Sequence, residues 1–135
     1  MIEKTFAACD DTLNDALALV EEELERADCP MKAITQITIC VEEMYVNVAH
    51  YAYGGQNKGD VTLSVGCEDG TVTITLKDTG MAFDPLAKED PDITLAAEDR
   101  KIGGLGIYMV KKTMDSVAYV RENGQNIFTM AKKFA

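Results

Sequence analysis

The order of strand and helix patterns along this chain predicts an α+β fold, a two-layer sandwich with a mostly antiparallel or mixed sheet and helices on one face. Alternating apolar and polar residues occur in two hairpins, each turning at a short sequence that ends in glycine. Three segments of helical periodicity lie apart from these hairpins, which is typical of α+β proteins. We expect a single domain spanning residues 1–135.

The composition limits the classes of function. A net charge of −10, from 23 acidic and 13 basic residues, argues against a nucleic-acid-binding surface, because phosphate contacts require clustered Lys and Arg. No apolar run is long enough to span a membrane, and the first residues lack the pattern of a signal peptide. We therefore expect a cytoplasmic protein without a membrane partner. The cysteines lack metal-ligand spacing, and we expect them to be reduced, buried side chains.

The beginning of the chain predicts an edge strand and two helices. Residues 2–7 alternate weakly, as an edge strand does. A helix is expected over residues 12–27, with Asp10 or Asp11 as its N-terminal cap. A longer helix is expected over residues 31–52, entered after a proline and ended by a pair of glycines.

The longer helix carries an acid and an amide between apolar neighbours. Glu43 and Asn47 lie four residues apart and so project from the same side of the helix. Ile39 and Val46 lie on that side too, where a surface helix would be polar. Asparagine is unfavourable inside a helix because it competes for backbone hydrogen bonds. The pattern indicates either the lining of a pocket or a half-exposed pair on a solvated face.

The first hairpin ends with a carboxylate on the side expected to face the helices. Its strands cover residues 61–67 and 72–76, joined by the turn at residues 68–70. Continuing the alternation by one step places Asp78 where the pattern expects a core residue, and a buried acid needs a hydrogen-bond donor. Alternatively, the strand ends one residue earlier and Asp78 begins a turn with Gly80.

A long segment without clear periodicity, residues 81–102, precedes the third helix, and connections of this length are often lids or binding loops. Gly103-Gly104-Leu105-Gly106 opens that helix, which continues over residues 107–114. Glycines at a helix start allow backbone N–H groups to approach an anion, and Arg100 and Lys101 stand just before them. The motif predicts a phosphate site or, alternatively, a hinge without a ligand. Two further alternating segments then predict the second hairpin.

Taken in order, three motifs resemble those of the GHKL ATPase superfamily, the histidine-kinase-type ATP-binding domains. The motifs are Glu43-x-x-x-Asn47, Asp78-Thr79-Gly80 followed by Phe83-Asp84-Pro85, and Gly103-Gly104-Leu105-Gly106. Within this superfamily, the strings NVAHYAY and GGLGIYMVKKTMD resemble those of bacterial anti-sigma-factor serine kinases. The resemblance covers nearly the whole chain.

The resemblance implies a role for each motif residue. Asn47 would ligate Mg²⁺ through its amide oxygen, and Glu43 would act as the general base toward the attacking hydroxyl. Asp78 would accept a hydrogen bond from the adenine amino group of ATP, and Gly80 would let the backbone approach the base. The resemblance also implies that Gly104 and Gly106 hold the phosphates against the start of the helix. Arg100 or Lys101 would offset charge on the γ-phosphate, and Thr129 would lie near the adenine.

Two features depart from the resemblance. Many relatives have a histidine four residues after the asparagine, where this chain has Tyr51, and we expect the neighbouring His50 to be a structural residue. Histidine-kinase relatives also carry a phosphoacceptor-histidine helix pair that is not found in this sequence, so we do not expect a complete sensor kinase.

The resemblance leads to one main hypothesis. The chain would be an Mg·ATP-dependent serine/threonine protein kinase that acts as an anti-sigma factor. It would phosphorylate a small anti-sigma-factor antagonist protein, sequester a sigma factor in its ATP-bound state and form a homodimer. The alternative is an ATP-gated module that binds a partner without phosphotransfer, and a third hypothesis is an interaction domain with an empty cleft.

Overall fold

The computed structural model describes residues 1–54, 59–87 and 105–135, and these form an α+β sandwich. One antiparallel sheet has the strand order β1-β2-β3-β5-β4. Its strands are β1 Ile2–Ala7, β2 Asp60–Glu68, β3 Thr71–Asp78, β4 Ser116–Glu122 and β5 Gln125–Lys133. The α-helices in this part of the chain are α1 Leu13–Arg26, α2 Met31–Asn47 and α3 Leu105–Thr113. The predicted fold class is confirmed, with a sheet whose described pairings are all antiparallel.

One face of the sheet carries the hydrophobic core. Side chains alternate between the two faces of a strand, and every second residue of the central strands packs against the helices. The inward residues of these strands are Val61, Leu63, Val65, Val72, Ile74, Leu76, Phe128 and Met130. The other face presents mainly threonines and small residues, as the partly or fully exposed positions of the same strands show. Burial on one side therefore fixes the register of each strand.

The α2 helix packs over the middle of this core. Ile37 and Val41 are fully buried, and Ile34 and Met44 are nearly so. The predicted helix over residues 31–52 is only partly correct, because the α-helix ends at Asn47 and a wider π-helical turn, Val48–Ala52, follows it. Wider turns of this kind often occur at functional sites.

Both hairpins have two-residue turns. Glu68 pairs with Thr71 across Asp69-Gly70, and Glu122 pairs with Gln125 across Asn123-Gly124. In each turn both residues have positive φ, at 51° and 75° in the first and 52° and 77° in the second. Asp-Gly and Asn-Gly tolerate this conformation, and it matches the twist of antiparallel strands. The predicted hairpins are present, and the first turn is one residue shorter than the expected residues 68–70.

The predicted cap of α1 is wrong. Asp10 and Asp11 lie in a short 3₁₀ turn that precedes the helix, and neither side chain caps it. The Asp10 carboxylate instead contacts His50 Nε2 at 2.9 Å, an exposed pair that joins the start of α1 to the turn after α2. Thr12 Oγ1 bonds the Tyr45 hydroxyl at 2.5 Å, and this contact ties the two helices together.

The cysteines are unpaired thiols. Cys29 and Cys40 are buried as expected, whereas Cys9 and Cys67 are only partly buried. Burial raises the pKa of both thiols, so they carry little of the reactive thiolate at neutral pH. No helix in the described ranges is long and apolar enough to cross a membrane.

Two isoleucines of α2 allow a direct test of this core. Ile37 is 0% exposed and Ile39 is 41% exposed. We expect Ile37→Ala to lower the free energy of unfolding by about 2–5 kcal/mol, because it leaves a cavity between helix and sheet. The same change at Ile39 should cost less than about 1 kcal/mol. Urea unfolding measures both, and equal losses would contradict the packing of α2 described here.

Candidate functional site

Residues from α2, from strands β3 to β5 and from the segment after β3 line one pocket. Its empty space, open mouth included, is about 380 Å³. Apolar walls with a few convergent polar groups are typical of small-molecule sites. The polar groups include Asn47 and Asp78, so the structure brings these two predicted site residues together. The full lining is Met44, Asn47, Val48, Ala52, Leu76, Asp78, Phe83, Pro85, Tyr119, Asn126 and Phe128.

Asp78 is the last residue of β3, and its side chain is buried on the inner face. Its Oδ1 accepts hydrogen bonds from the Gly80 N–H and from Asn126 Nδ2, each at 2.9 Å. The first alternative for Asp78 is therefore correct, because Asp78 belongs to β3 and continues the inward alternation. The second is wrong about the end of the strand, although the Asp78 side chain does accept the Gly80 N–H. Within the described residues no donor pairs with Oδ2, and no fully buried polar side-chain atom lacks a partner. Oδ2 is thus open to the pocket.

Gly80 lies where two backbone segments approach closely. A Cβ atom at this position would overlap the carbonyl group of Ala52, in the turn after α2. The next residue, Met81, donates its N–H to that carbonyl oxygen at 2.7 Å. The Arg121 guanidinium donates to the Gly80 carbonyl oxygen at 2.8 Å. The absence of a side chain at Gly80 therefore allows the end of β3 to dock against the turn that follows Asn47.

Asn47 and Glu43 lie one helical turn apart on the side of α2 that faces α3. Asn47 is half-buried and lines the pocket, and none of the described side chains hydrogen-bonds its amide. The Glu43 carboxylate lies against Gly106 in the first turn of α3, in space that a Cβ atom of Gly106 would occupy. A carboxylate is favourable at a helix N-terminus. The structure thus brings Glu43 and Gly106 together, although Glu43 is not among the residues that line the pocket.

Thr129 does not reach the pocket. It lies on the opposite face of the sheet, where its Oγ1 is 3.4 Å from Thr75 Oγ1. This corrects the expectation that Thr129 lies near the adenine. Side chains alternate along a strand, and Thr129 is an odd number of positions from the inward residues Asn126 and Phe128, so it points to the other face. Three other predicted site residues lie outside the described ranges, namely Arg100, Lys101 and Gly104.

Asn126 is a site residue that the sequence analysis missed. It is buried at the start of β5, lines the pocket and donates to Asp78. The signal that could have found it is the one that identified Asp78. Counting back in steps of two from the inward residues Met130 and Phe128 places a polar side chain at a core position.

The described groups are suited to binding and to proton transfer rather than to nucleophilic catalysis by a thiol. Cys40, which lies in α2 near Glu43, has its pKa raised by burial. No group of three or more His, Cys, Asp or Glu side chains in the described part of the chain can hold a metal ion. Asn47 and Glu43 offer single oxygen ligands, which fits Mg²⁺, because this ion usually takes few protein ligands together with phosphates and water.

The fold and motifs define the class of this protein. The chain belongs to the histidine kinase-like ATPase domain family, whose model matches residues 6–132. The resemblance based on the three sequence motifs is therefore confirmed at the level of the family.

Known relatives narrow this class. The serine-protein kinase RsbW of Listeria monocytogenes serovar 1/2a is 26% identical over 106 residues, which cover 76% of this chain and 68% of the relative. The anti-sigma F factor of Geobacillus sp. strain WCH70 is 25% identical over 129 residues, which cover 96% of this chain and 88% of the relative.

A solved structure supports the fold. The RsbU and RsbW domains of Rv1364c from Mycobacterium tuberculosis match with a TM-score of 0.62 at 14% identity. The match covers 98% of this chain but only 32% of the mycobacterial chain, so this chain spans about a third of that protein.

The close approach at Gly80 generates a prediction. Gly80→Ala should lower the free energy of unfolding by about 1–3 kcal/mol, because its methyl group overlaps the Ala52 carbonyl group. Gly66→Ala is the matched control, since the atoms nearest to a Cβ there belong to the Met1 side chain and begin at 3.5 Å, an ordinary van der Waals contact. The control should change stability by about 0.5 kcal/mol or less. Urea unfolding compares the two, and a neutral Gly80→Ala would contradict the docking of the β3 end against the turn after α2.

Proposed function

We propose that this chain is one ATP-binding domain that acts as an Mg·ATP-dependent serine/threonine protein kinase and anti-sigma factor. The observation that carries the proposal is the shared pocket of Asn47 and Asp78, with Glu43 one turn from Asn47 on the same helix. Family membership supports ATP as the ligand. The names of the relatives, a serine-protein kinase and an anti-sigma factor, support the class of activity.

Asp78 is suited to recognise the adenine base. Two donors from the protein occupy its Oδ1, which leaves Oδ2 to accept a hydrogen bond from the adenine amino group. A buried acceptor that is left without a donor is unfavourable, so a ligand that offers an N–H at this point gains specificity as well as affinity. The apolar lining residues, among them Phe83 and Phe128, supply surface against which a planar base can pack.

Asn47 is suited to hold Mg²⁺. Its amide oxygen is a hard ligand, and no described side chain competes for it. When bound, Mg²⁺ neutralises phosphate charge and orients the phosphates for transfer. Gly104 and Gly106 of the glycine motif, together with Arg100 and Lys101, remain our proposed phosphate contacts.

Glu43 is the proposed general base. Transfer forms a bond between a serine or threonine oxygen of the substrate protein and the γ-phosphorus, and it breaks the bond to the leaving oxygen of ADP. The hydroxyl proton then needs an acceptor, and the carboxylate of Glu43 lies beside the start of α3, where the phosphates are expected. We propose a small anti-sigma-factor antagonist as the substrate, a sigma factor as the sequestered partner, a homodimer as the assembly and the cytoplasm as the location.

One observation favours a second function, an ATP-gated module that binds a partner without phosphotransfer. Glu43 contacts Gly106 and does not line the pocket, so in this conformation its carboxylate is not directed at the pocket contents. Under this alternative the acid would stabilise the first turn of α3, and ATP would change only the surface offered to the partner.

Glu43 and Glu42 provide a matched test of the kinase, because Glu42 is the exposed neighbour of Glu43 on α2. With labelled ATP and a cognate antagonist, Glu43→Gln should lower the rate of phosphotransfer by about 10²–10⁴-fold, the usual contribution of a general base. Its ATP affinity, measured by calorimetry, should stay close to that of the wild type. Glu42→Gln should match the wild type in both measurements. Normal transfer by Glu43→Gln, or ATP binding by the wild type without transfer, would favour the gated module.

Asn47→Ala tests the site itself. We expect ATP affinity to fall and to lose its dependence on Mg²⁺, because the proposed protein ligand of the ion is removed. Calorimetry with and without Mg²⁺ measures this, and His50→Ala, one turn further along, is the control that should bind as the wild type does. If the wild-type protein binds no nucleotide, both proposed functions are excluded.

A further inference from the structure

The side-chain amide of Asn126 is saturated with hydrogen bonds. Its Nδ2 donates to Asp78 Oδ1 at 2.9 Å and to the Met81 carbonyl oxygen at 2.8 Å. Its Oδ1 accepts from the Tyr119 hydroxyl at 2.5 Å and from the Phe83 N–H at 3.3 Å. An amide offers two donors and two acceptor positions, so every position is used.

The chemistry of the neighbours fixes the orientation of this amide. Asp78 Oδ1 and the Met81 carbonyl oxygen are acceptors and therefore require the NH₂ group, whereas the Phe83 N–H requires the carbonyl oxygen. A flipped amide would place an oxygen against the Asp78 carboxylate. Asn126 thus holds the end of β3 and the segment that follows it in one arrangement.

Phe83 extends this arrangement to α2. Its ring lines the pocket and stacks on Tyr51, with ring centroids 5.9 Å apart and planes inclined by 25°. Tyr51 lies in the π-helical turn that follows Asn47. Through Phe83, the contacts of Asn126 therefore connect the Asp78 side of the pocket to the Asn47 side.

We propose that Asn126 is the positioning residue of the base site. Its neutral amide engages one oxygen of Asp78, so that the other faces the ligand. It also holds the backbone at Met81 and at Phe83, and the Phe83 ring lines the pocket. This inference rests on the proposed function, in which Asp78 recognises the adenine base. It goes further by making base recognition depend on a neutral hydrogen-bond donor at position 126.

This requirement gives Asn126→Asp a pH-dependent outcome. The substitution keeps the shape of the side chain but places a second carboxylate beside Asp78. Two carboxylates in one site share a proton, and the pKa of one of them is raised. At low pH the protonated acid donates an O–H to Asp78 as the amide did, and at high pH two negative charges repel each other.

Asn123→Asp is the matched control. Asn123 is exposed in the β4–β5 turn, at a φ of 52°, and Asp already occupies the equivalent position of the other hairpin turn, at a φ of 51°. The control therefore adds the same charge away from the pocket. The other titratable or charged groups on the surrounding elements are the same in both variants, so their titration does not affect the comparison. These groups are Tyr119 and Arg121 of β4, Asp84 of the segment after β3, Tyr53 of the turn after α2 and Glu43 of α2.

The first measurement uses the protein without nucleotide. Thermal unfolding of both variants is followed between pH 5 and pH 8. The carboxylate pair of Asn126→Asp has its raised pKa only in the folded state. The contribution of this pair to the stability of the folded protein is therefore complete below the ordinary pKa of a carboxyl group, and it is lost as the pH rises through the raised pKa. The melting temperature of Asn126→Asp should therefore fall below that of Asn123→Asp at pH 8, and the difference should shrink toward pH 5. A difference that does not change with pH would overturn the proposal.

The second measurement is ATP affinity by calorimetry over the same pH range. At pH 8, Asn126→Asp should bind at least about tenfold more weakly than Asn123→Asp, the effect of about one pKa unit, and the gap should narrow as the pH falls. Equal affinities, or a gap that is the same at every pH, would overturn the positioning role. If the wild type and the control bind no ATP, the proposed function fails, while the unfolding comparison still decides the contact with Asp78.

Tyr119→Phe covers the case in which Asn126→Asp does not fold at pH 8. This variant removes one donor to the Asn126 oxygen and leaves the contacts to Asp78 in place. ATP affinity should fall by about 2–10-fold, the contribution of one hydrogen bond. Tyr108→Phe, on α3, is the matched control and should bind as the wild type does. Unchanged affinity in Tyr119→Phe would contradict the proposal.

Discussion

The structure of the site depends on the compensation of one buried carboxylate. Asp78 stands at the end of a core strand, where a charge without hydrogen-bond donors would be strongly unfavourable. The two donors to its Oδ1 come from the Gly80 N–H and from Asn126. The first requires a tight turn directly after β3, and the second requires an amide on the inner face of β5. Under the proposed function, the second oxygen of Asp78 would be the acceptor for the ligand.

The α2 helix joins this site to the core. Its inner face packs on the sheet through side chains such as Ile37 and Val41, which hold the helix axis in place. On the side toward α3, the same helix presents Glu43 and Asn47 at the spacing of one turn. The π-helical turn after Asn47 then redirects the chain, so that the Ala52 carbonyl oxygen accepts the Met81 N–H. The position of the proposed Mg²⁺ ligand is therefore fixed by core packing on one side and by the backbone of the loop after Asp78 on the other.

The parts of the molecule that were predicted from the sequence are those with a simple period. Alternation identified the strands and gave the inward position of Asp78 as one of two alternatives, and Asp-Gly and Asn-Gly located the hairpin turns. The π-helical turn could not be predicted, because one additional residue per turn hardly changes the pattern of apolar positions over five residues. Thr129 was assigned by resemblance against the alternation of its own strand, whereas that alternation identifies Asn126 as the inward residue.

Electrostatics argue that the two ends of the proposed ligand are recognised differently. The base end would meet Asp78, a carboxylate whose Oδ1 accepts two hydrogen bonds from neutral donors of the protein. The phosphate end would bring several negative charges to a chain of net charge −10. The dipole of α3 offers only about half a positive charge at its N-terminus, and the Glu43 carboxylate already lies against the first turn of that helix. Under the proposed function, positive charge would come from a divalent ion on Asn47, whose amide contributes no charge of its own, and from the proposed contacts of Arg100 and Lys101. The same reasoning makes an amide better suited than a carboxylate to position 47. A second acid there would repel the phosphates in addition to the repulsion from Glu43.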